Sequence, residues 1–226
     1  MIVQLLQERF PNNYGIDTTQ VSVPASVHIG AFALTDYKAC KDCHQQLSRI
    51  DRENCDEEVL KIESNGQEVT VVNFEKYISQ FDGTPANIRE RCDYLLVDDT
   101  ENHRKIAFCD LTCSDSKWIE PNTGKYSEGK RAKAKKQMMA SIKTLLNVPL
   151  LDHAILTFAE KVCLFGWREY GLPEVPTLPQ RRNVIHNMQA FMTTPSAMAG
   201  QLRQKMDIAE HGFLFIQQKY PNVYNW

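Results

Sequence analysis

The sequence predicts an α/β fold, and its middle third supplies the three observations that point to this class. Two segments with strand composition, residues 92–99 (CDYLLVDD) and 105–113 (KIAFCDLTC), are joined by a polar connection of hairpin length. A helix is predicted over about residues 127–146, where apolar side chains recur on one helical face. Residues 162–167 (VCLFGW) then return to strand composition. The order strand, strand, helix, strand predicts a central β-sheet flanked by helices.

The segments before this hairpin divide into shorter elements at proline, glycine and asparagine residues. The chain opens with a short helical pattern that ends at Pro11, and residues 14–37 have irregular or strand-like composition. Residues 40–63 are polar and charged, which predicts one or two exposed helices. Residues 67–72 (QEVTVV) alternate as a strand does, and the asparagine that follows is placed to cap a helix over residues 74–81.

The segments after the long helix complete the prediction. Residues 153–159 (HAILTFA) have strand composition, like the segment that follows them. Beyond a proline-rich stretch, residues 180–192 and 196–220 show helical patterns, and the second has an apolar side. We therefore expect a helical C-terminal extension, whose apolar side would suit a homodimer or a contact within a protein complex.

The length of 226 residues fits a single domain. Within it we expect an N-terminal elaboration over residues 1–66, a core over residues 67–168 and the helical extension over residues 173–226. No repeat or low-complexity tract interrupts this division.

Charge and hydropathy limit the classes of function. The formal net charge of −2 excludes binding to nucleic acid through a strong overall positive field, so such binding must come from a local patch. The first residues reach Glu8 and Arg9 too soon for a signal peptide, and no stretch is apolar for long enough to span a bilayer. We expect a soluble cytoplasmic protein without a membrane partner.

The seven cysteines are an odd number, which favours thiols or metal ligands over a disulfide framework. Cys40 and Cys43 form one CxxC pair, and Cys55 is a candidate third ligand for zinc. The sequence CKDCH also has the spacing of a covalent haem site, but that attachment normally follows export. Exposed thiols, a zinc site and haem attachment all remain alternatives for this segment.

Two aspartates lie where the predicted hairpin would bring them together. Asp93 is at the start of the first strand and Asp110 is near the end of the second, so both belong to the same end of the sheet. Carboxylate oxygens are the ligands that Mg²⁺ prefers. Glu75, on the helix before the hairpin, is a candidate third ligand. Solvated acids at the turns of a sheet are the alternative interpretation.

A basic segment opens the long helix. Residues 129–136 (GKRAKAKK) contain five cations, although positive charge near a helix N-terminus opposes the helix dipole. An anionic partner would offset that cost, and the phosphate backbone of DNA is the natural candidate. The expected backbone contacts are Lys130, Arg131, Lys135 and Lys136, and a solvated helix face is the alternative.

Taken in order, these residues resemble the PD-(D/E)xK nuclease superfamily, which has the restriction-endonuclease-like core. Asp93 matches the first aspartate, Asp110 matches the acid of the triplet, and Lys133 with Gln137 match the helix that follows. The resemblance covers roughly residues 73–160. It implies a mixed β-sheet and metal-dependent cleavage of phosphodiester bonds in nucleic acid, with Mg²⁺ or Mn²⁺ as cofactor.

The triplet departs from the family pattern, because Thr112 stands where a lysine is expected. A neutral hydroxyl cannot supply the charge of an ammonium group. Lys133, one helical turn before Gln137, could replace the missing amine and assist the attacking water or the transition state, which Gln137 would orient. Lys130 is the substitute candidate for this amine. The alternatives are an inactive nuclease fold that binds nucleic acid or protein in a defence or regulatory complex, and a zinc-stabilised interaction protein.

Overall fold

The computed structural model describes residues 1–36, 58–100, 104–114, 119–121, 128–169 and 206–226. Within those ranges no helix has both the length and the apolar character needed to cross a bilayer. The predicted helix over residues 180–192 and the zinc candidates Cys40, Cys43 and Cys55 lie outside the described residues.

The described residues form five α-helices, one short 3-10 helix (Thr18–Gln20) and nine strands. The helices are α1 (Ile2–Asn13), α2 (Phe74–Ser79), α3 (Lys130–Leu146), α4 (Leu151–Leu156) and α5 (Met206–Ala209). The strands are β1 (Ala25–His28), β2 (Ala31–Thr35), β3 (Glu58–Glu63), β4 (Val69–Asn73), β5 (Tyr94–Val97), β6 (Lys105–Cys113), β7 (Glu160–Arg168), β8 (Leu214–Lys219) and β9 (Val223–Asn225).

Six strands form a mixed central sheet in the order β1-β4-β5-β6-β7-β8. The first four of them pair antiparallel, whereas β6, β7 and β8 run parallel to one another. The helices α3 and α4 make the crossover that a parallel β6–β7 connection requires. The starts of β5 and the ends of β6, β7 and β8 therefore lie along one edge of the sheet.

The two faces of this sheet are covered differently. One face packs against the apolar sides of the five helices, including Phe10 of α1, Tyr77 of α2 and Met138 of α3. The other face packs against a second sheet, in the order β2-β3-β9, through residues such as Leu60 and Leu164. The prediction of an α/β fold with a central mixed sheet is confirmed, although only one of its faces is covered by described helices.

Several local predictions are confirmed. The hairpin β5–β6 forms in antiparallel register, and α3 follows it within the predicted span. Asn73 caps α2 as expected, because its Oδ1 accepts a hydrogen bond of 2.9 Å from the backbone N–H of Lys76. The opening helix α1 also forms, with Pro11 in its last turn. These elements carry short-range signals that do not depend on a distant partner.

The prediction of a strand over residues 153–159 is wrong, since Leu151–Leu156 is helix α4. Its buried residues Leu151, Ala154 and Ile155 have the spacing of a helical face that packs against α1 and α3. A short apolar run has no clear period of its own, so the packing of neighbouring helices decides its structure.

Two further predictions of helix, over residues 40–63 and 196–220, can be compared with the structure only at residues 58–63 and 206–220. Met206–Ala209 is helical as predicted, but the prediction is wrong where strands pair with distant partners. Residues 214–219 form β8, which adds to the edge of the central sheet beside β7, and residues 223–225 form β9. Glu58–Glu63 is strand β3, which buries Val59, Leu60 and Ile62. Where it is described, the C-terminal extension is thus mostly strand and completes both sheets.

The buried Tyr77 makes the stability of the fold depend on pH in the alkaline range. Its ring is fully buried, and its hydroxyl donates a 2.6 Å hydrogen bond to the carbonyl oxygen of Leu6 in α1. Burial raises the pKa of this phenol above its ordinary value of 10.0. Because the folded-state pKa is above the unfolded-state value, stability is complete below about pH 10 and falls as the pH rises further.

We therefore expect the free energy of unfolding at pH 8 to be about 1 kcal/mol lower for Tyr77→Phe than for the wild type, because the variant lacks this hydrogen bond. Above pH 10 the wild-type chain should lose up to about 1.4 kcal/mol more per pH unit than the variant, which has no phenol at this position. Urea unfolding at pH 8, 10 and 11 measures this difference. A constant difference across the three pH values would contradict the buried, protonated phenol.

Candidate functional site

Asp93 and Asp110 are brought together at the edge of the sheet where β5 begins and β6 ends. The backbone N–H of Asp93 donates a 3.0 Å hydrogen bond to the carbonyl oxygen of Cys109. The Asp93 Oδ2 atom accepts a 2.7 Å hydrogen bond from the backbone N–H of Leu111. Asp93 thus contacts the residues on both sides of Asp110, so the two aspartates are direct neighbours.

Asp110 faces the helical layer of the protein. It lies two residues after Phe108, whose side chain is buried among the helices, and alternate residues of a strand share a face. Asp110 is 6% exposed and its Oδ2 atom is fully buried. Like charges on adjacent strands repel each other, so the fold gains no stability from placing Asp110 beside Asp93. Such an arrangement is typical of a functional site.

Thr112 lies on the same face as Asp110 and is also buried, at 7% exposure. It pairs with Trp167 of the parallel strand β7. Thr112 stands where the resemblance implies a lysine, and its side chain therefore faces the helices.

Glu75 lies close to the aspartate pair in the first turn of α2. The backbone N–H groups of Phe74 and Glu75 both donate to the carbonyl oxygen of Asp93, at 2.9 and 3.1 Å, and Glu75 Oε2 is a buried atom. However, the described residues contain no group of three or more His, Cys, Asp or Glu side chains arranged to hold a metal ion. Glu75 therefore stays a prediction as a third ligand.

Helix α3 is tied to the chain just before Asp93. Gln137 Nε2 donates a 2.9 Å hydrogen bond to the carbonyl oxygen of Arg91, and Ser141 Oγ accepts one of 2.9 Å from the backbone N–H of Cys92. Gln137 thus has a positioning contact, which holds α3 against the entry to β5. Lys133 lies one turn earlier on the same side of this helix and is exposed.

The five cations of the basic segment divide into three groups. Arg131 and Lys136 form ion pairs with Glu120 and Glu128, so their charges are already compensated. Lys130 and Lys133 face solvent at least in part, and neither forms an ion pair with any residue that the structure describes. Lys135 differs from both groups.

Lys135 was predicted to contact the phosphate backbone together with Lys130, Arg131 and Lys136, but it is buried whereas they are not. It is 6% exposed, and its Nζ atom lies 4.3 Å from the centre of the Phe215 ring on β8. Its position on α3 is three residues before Met138 and four before Met139, both buried, so it belongs to the inward face. Sequence reasoning grouped it by charge, whereas its position on the helix decides its environment.

Two residues of this region were not singled out from the sequence. Trp167 of β7 and Lys219 of β8 lie at the same sheet edge, and Lys219 Nζ is 4.4 Å from the centre of the Trp167 ring. Lys219 was assigned to a helix that does not form, so its neighbours could not be foreseen. Trp167 carried no signal beyond an apolar strand position.

The described cysteines behave as thiols. None of the four cysteines in the described ranges forms a disulfide: Cys92, Cys109 and Cys163 are buried thiols, and Cys113 is a partly buried one. Burial raises the pKa of the Cys92 thiol well above its usual range, and the charges of Asp110 and Asp93 raise it further. This thiol therefore stays protonated at neutral pH and is a poor metal ligand beside the carboxylates.

The architecture and the site define a class: an α/β protein with a six-stranded mixed sheet, whose edge carries two adjacent aspartates beneath a basic helix. Comparisons with protein-family models, with curated proteins and with solved structures find no match to this chain. Function must therefore be argued from the residues of the site.

Proposed function

We propose that this protein is a metal-dependent phosphodiesterase that acts on nucleic acid, with DNA as the favoured substrate, and that its core is restriction-endonuclease-like. The observation that carries the proposal is the contact of Asp93 with both neighbours of Asp110. The order of β5, β6, α3 and a strand β7 parallel to β6 also agrees with the order that the PD-(D/E)xK resemblance implies.

The residues fit Mg²⁺ or Mn²⁺. Mg²⁺ keeps several waters and is commonly held by one or two carboxylates together with substrate phosphates, so Asp93 and Asp110 are sufficient. When bound, the ion supplies charge stabilisation at the phosphoryl oxygens and a more acidic water. Zinc is disfavoured at this edge, because the nearest described thiols are buried and protonated.

The chain's own residues then have separate roles. Asp93 is fixed by the Leu111 amide, and Asp110 is held beside it on a buried part of the strand. Gln137 fixes α3 against Arg91 just before β5, and the exposed Lys133 lies one turn earlier on the same side of this helix. Lys133 and Lys130 attract the phosphate backbone and stabilise the charge that develops during cleavage.

Cleavage assays test this proposal directly. Purified protein is incubated with labelled single-stranded DNA, duplex DNA and RNA in Mg²⁺, Mn²⁺ or EDTA. We expect cleavage of DNA with either ion and none with EDTA. Absence of cleavage on all three substrates would overturn the enzymatic proposal.

Lys133→Met should lower kcat about a hundredfold if the Lys133 amine stabilises developing charge. In that role it would replace the lysine that the family pattern has at the position of Thr112. Its effect on KM should be smaller, because many other contacts bind the backbone. Lys143→Met is the matched control, since Lys143 is exposed on the last turn of the same helix. If both variants cleave DNA at equal rates, Lys133 has no role in the reaction.

Thr112 favours a second candidate function, in which the same fold binds nucleic acid or protein without cutting. Its neutral, buried hydroxyl lies where the family pattern has an amine. Binding of DNA that does not change with metal or with Asp110→Ala would support this candidate over hydrolysis.

A further inference from the structure

A row of polar groups crosses three parallel strands next to the aspartate pair. Thr112 of β6, Trp167 of β7 and Lys219 of β8 are direct partners in the register of the sheet. Partners in register project from the same face, and this is the face of Asp110, two residues before Thr112. The row therefore begins beside the candidate metal site and extends away from it.

All three members of this row can donate a hydrogen bond. Thr112 has a buried hydroxyl, and Trp167 is 5% exposed. The Trp167 Nε1 atom is fully buried and finds no acceptor within the described ranges of the chain. Lys219 Nζ lies 4.4 Å from the centre of the Trp167 ring and 3.2 Å from Glu169 Oε2, so its amine is held over the middle strand.

A second amine lies on the other side of Asp110's own row. Asp110 pairs with Phe165, which pairs with Gln217, and Phe215 lies two residues before Gln217. Lys135 Nζ is 4.3 Å from the centre of the Phe215 ring. The amines of Lys135 and Lys219 thus lie on opposite sides of this row, so Lys135 takes no part in a site formed by Lys219 and Trp167.

We infer that Trp167 and Lys219 form a phosphate subsite, which holds a phosphate group of the nucleic-acid backbone next to the bond at Asp93 and Asp110. The inference rests on the proposed function for its substrate. A phosphate accepts charge-assisted hydrogen bonds from ammonium groups and a further bond from an indole N–H.

The alternative is that Lys219 only stabilises the fold through Glu169 and Trp167. Both side chains of this ion pair are partly exposed, at 28% and 13%, and such pairs contribute little to stability. The two interpretations differ for Glu169. If Lys219 binds phosphate, Glu169 competes with the substrate for the Lys219 amine. If the pair is purely structural, loss of either residue should have the same effect.

Lys105 supplies a matched control at the opposite edge of the sheet. Like Lys219 it lies at the end of a strand, pairs with a glutamate (Glu160, 3.4 Å) and stands over aromatic rings, those of Tyr224 and Trp226. It is distant from the aspartate pair because β6 begins at Lys105 and reaches Asp110 only five residues later. Its substitution removes one charge in a similar environment.

The test measures fluorescence anisotropy of labelled single-stranded and duplex DNA over a series of salt concentrations, with Ca²⁺ in place of Mg²⁺. Lys219→Gln should weaken binding about tenfold and reduce the salt slope by about one ion. Glu169→Gln should bind severalfold more tightly than wild type. Lys105→Gln and Glu160→Gln should leave both the affinity and the salt slope unchanged.

Equal affinities and salt slopes for Lys219→Gln and Lys105→Gln would overturn the subsite, as would a Glu169→Gln variant that weakens binding like Lys219→Gln. If Lys219→Gln melts at a lower temperature than wild type, Lys219→Arg replaces it and should keep the wild-type salt slope. Parallel cleavage assays separate the two proposals. If the protein cleaves DNA but Lys219→Gln binds DNA as tightly as wild type, only the subsite is overturned. If Lys219→Gln weakens binding but the wild-type protein cleaves no DNA, only the proposal of hydrolysis is overturned.

Discussion

Asp110→Asn should lower the rate of metal-dependent cleavage about a thousandfold or more. A bound metal ion supplies several kcal/mol of stabilisation to the charged transition state, and each 1.36 kcal/mol corresponds to a tenfold change in rate. Asparagine keeps the size of the side chain on its buried face, so the change removes one negative charge and little volume. Initial rates in Mg²⁺ and Mn²⁺ measure the effect.

Asp98→Asn is the matched control for this prediction. Asp98 is also buried, at 2% exposure, but lies at the far end of the same hairpin, where its Oδ1 accepts hydrogen bonds from Thr100. Its variant should keep the wild-type rate within severalfold once folding has been checked by circular dichroism. Activity that survives Asp110→Asn unchanged would exclude this carboxylate from the site.

A metal-binding measurement gives the same prediction a readout other than activity. Mn²⁺ should raise the melting temperature of the wild-type protein, because a ligand that binds only the folded state stabilises it. The increase should be lost in Asp110→Asn and kept in Asp98→Asn. An equal increase in all three proteins would mean that Mn²⁺ binds elsewhere.

Gly129→Ala should destabilise the fold by about 2–4 kcal/mol, the largest effect we expect from a single methyl group in this chain. Gly129 directly precedes α3 and has a φ of +76°, a backbone conformation that residues with a side chain rarely adopt. A Cβ atom here would lie 2.6 Å from the carbonyl carbon of Glu120 and 2.7 Å from the nitrogen of Pro121. Both contacts are with backbone, which cannot move aside cheaply.

Gly83→Ala separates the two causes of this strain. Gly83 has a similar φ of +84°, but a Cβ atom there would meet nothing within 4 Å. Its variant should therefore lose only about 1 kcal/mol, from the backbone conformation alone. Urea unfolding of both variants measures the difference, and equal losses would show that the contact with residues 120–121 adds nothing.

Gly129→Ala should also affect DNA binding if α3 acts as proposed. The close approach of the chain at Glu120 and Pro121 fixes where α3 begins, and Lys130 and Lys133 lie in its first turns. A shifted start would move these cations relative to Asp93, while the hydrogen bond from Gln137 to Arg91 resists that movement. A folded variant with weaker DNA binding would connect the glycine to the site.

Part of the fold could be predicted from the sequence because its signals are local. The hairpin β5–β6 needs only two adjacent strands and a short connection, and α2 needs only a capping asparagine and an apolar face. Strand β8 has no such signal, because its partner β7 lies more than forty residues earlier in the chain. Its apolar residues fit a helix and a strand equally well until that partner is present.

The sequence by itself determined the aspartate pair. Side chains alternate along a strand and antiparallel strands share their ends, so Asp93 and Asp110 had to meet if the hairpin formed. Only the tertiary structure decided which cations join them: it exposed Lys133, buried Lys135 and placed Lys219 over Trp167. Those environments depend on helix packing and on parallel pairing between distant segments, and no short stretch of sequence encodes either.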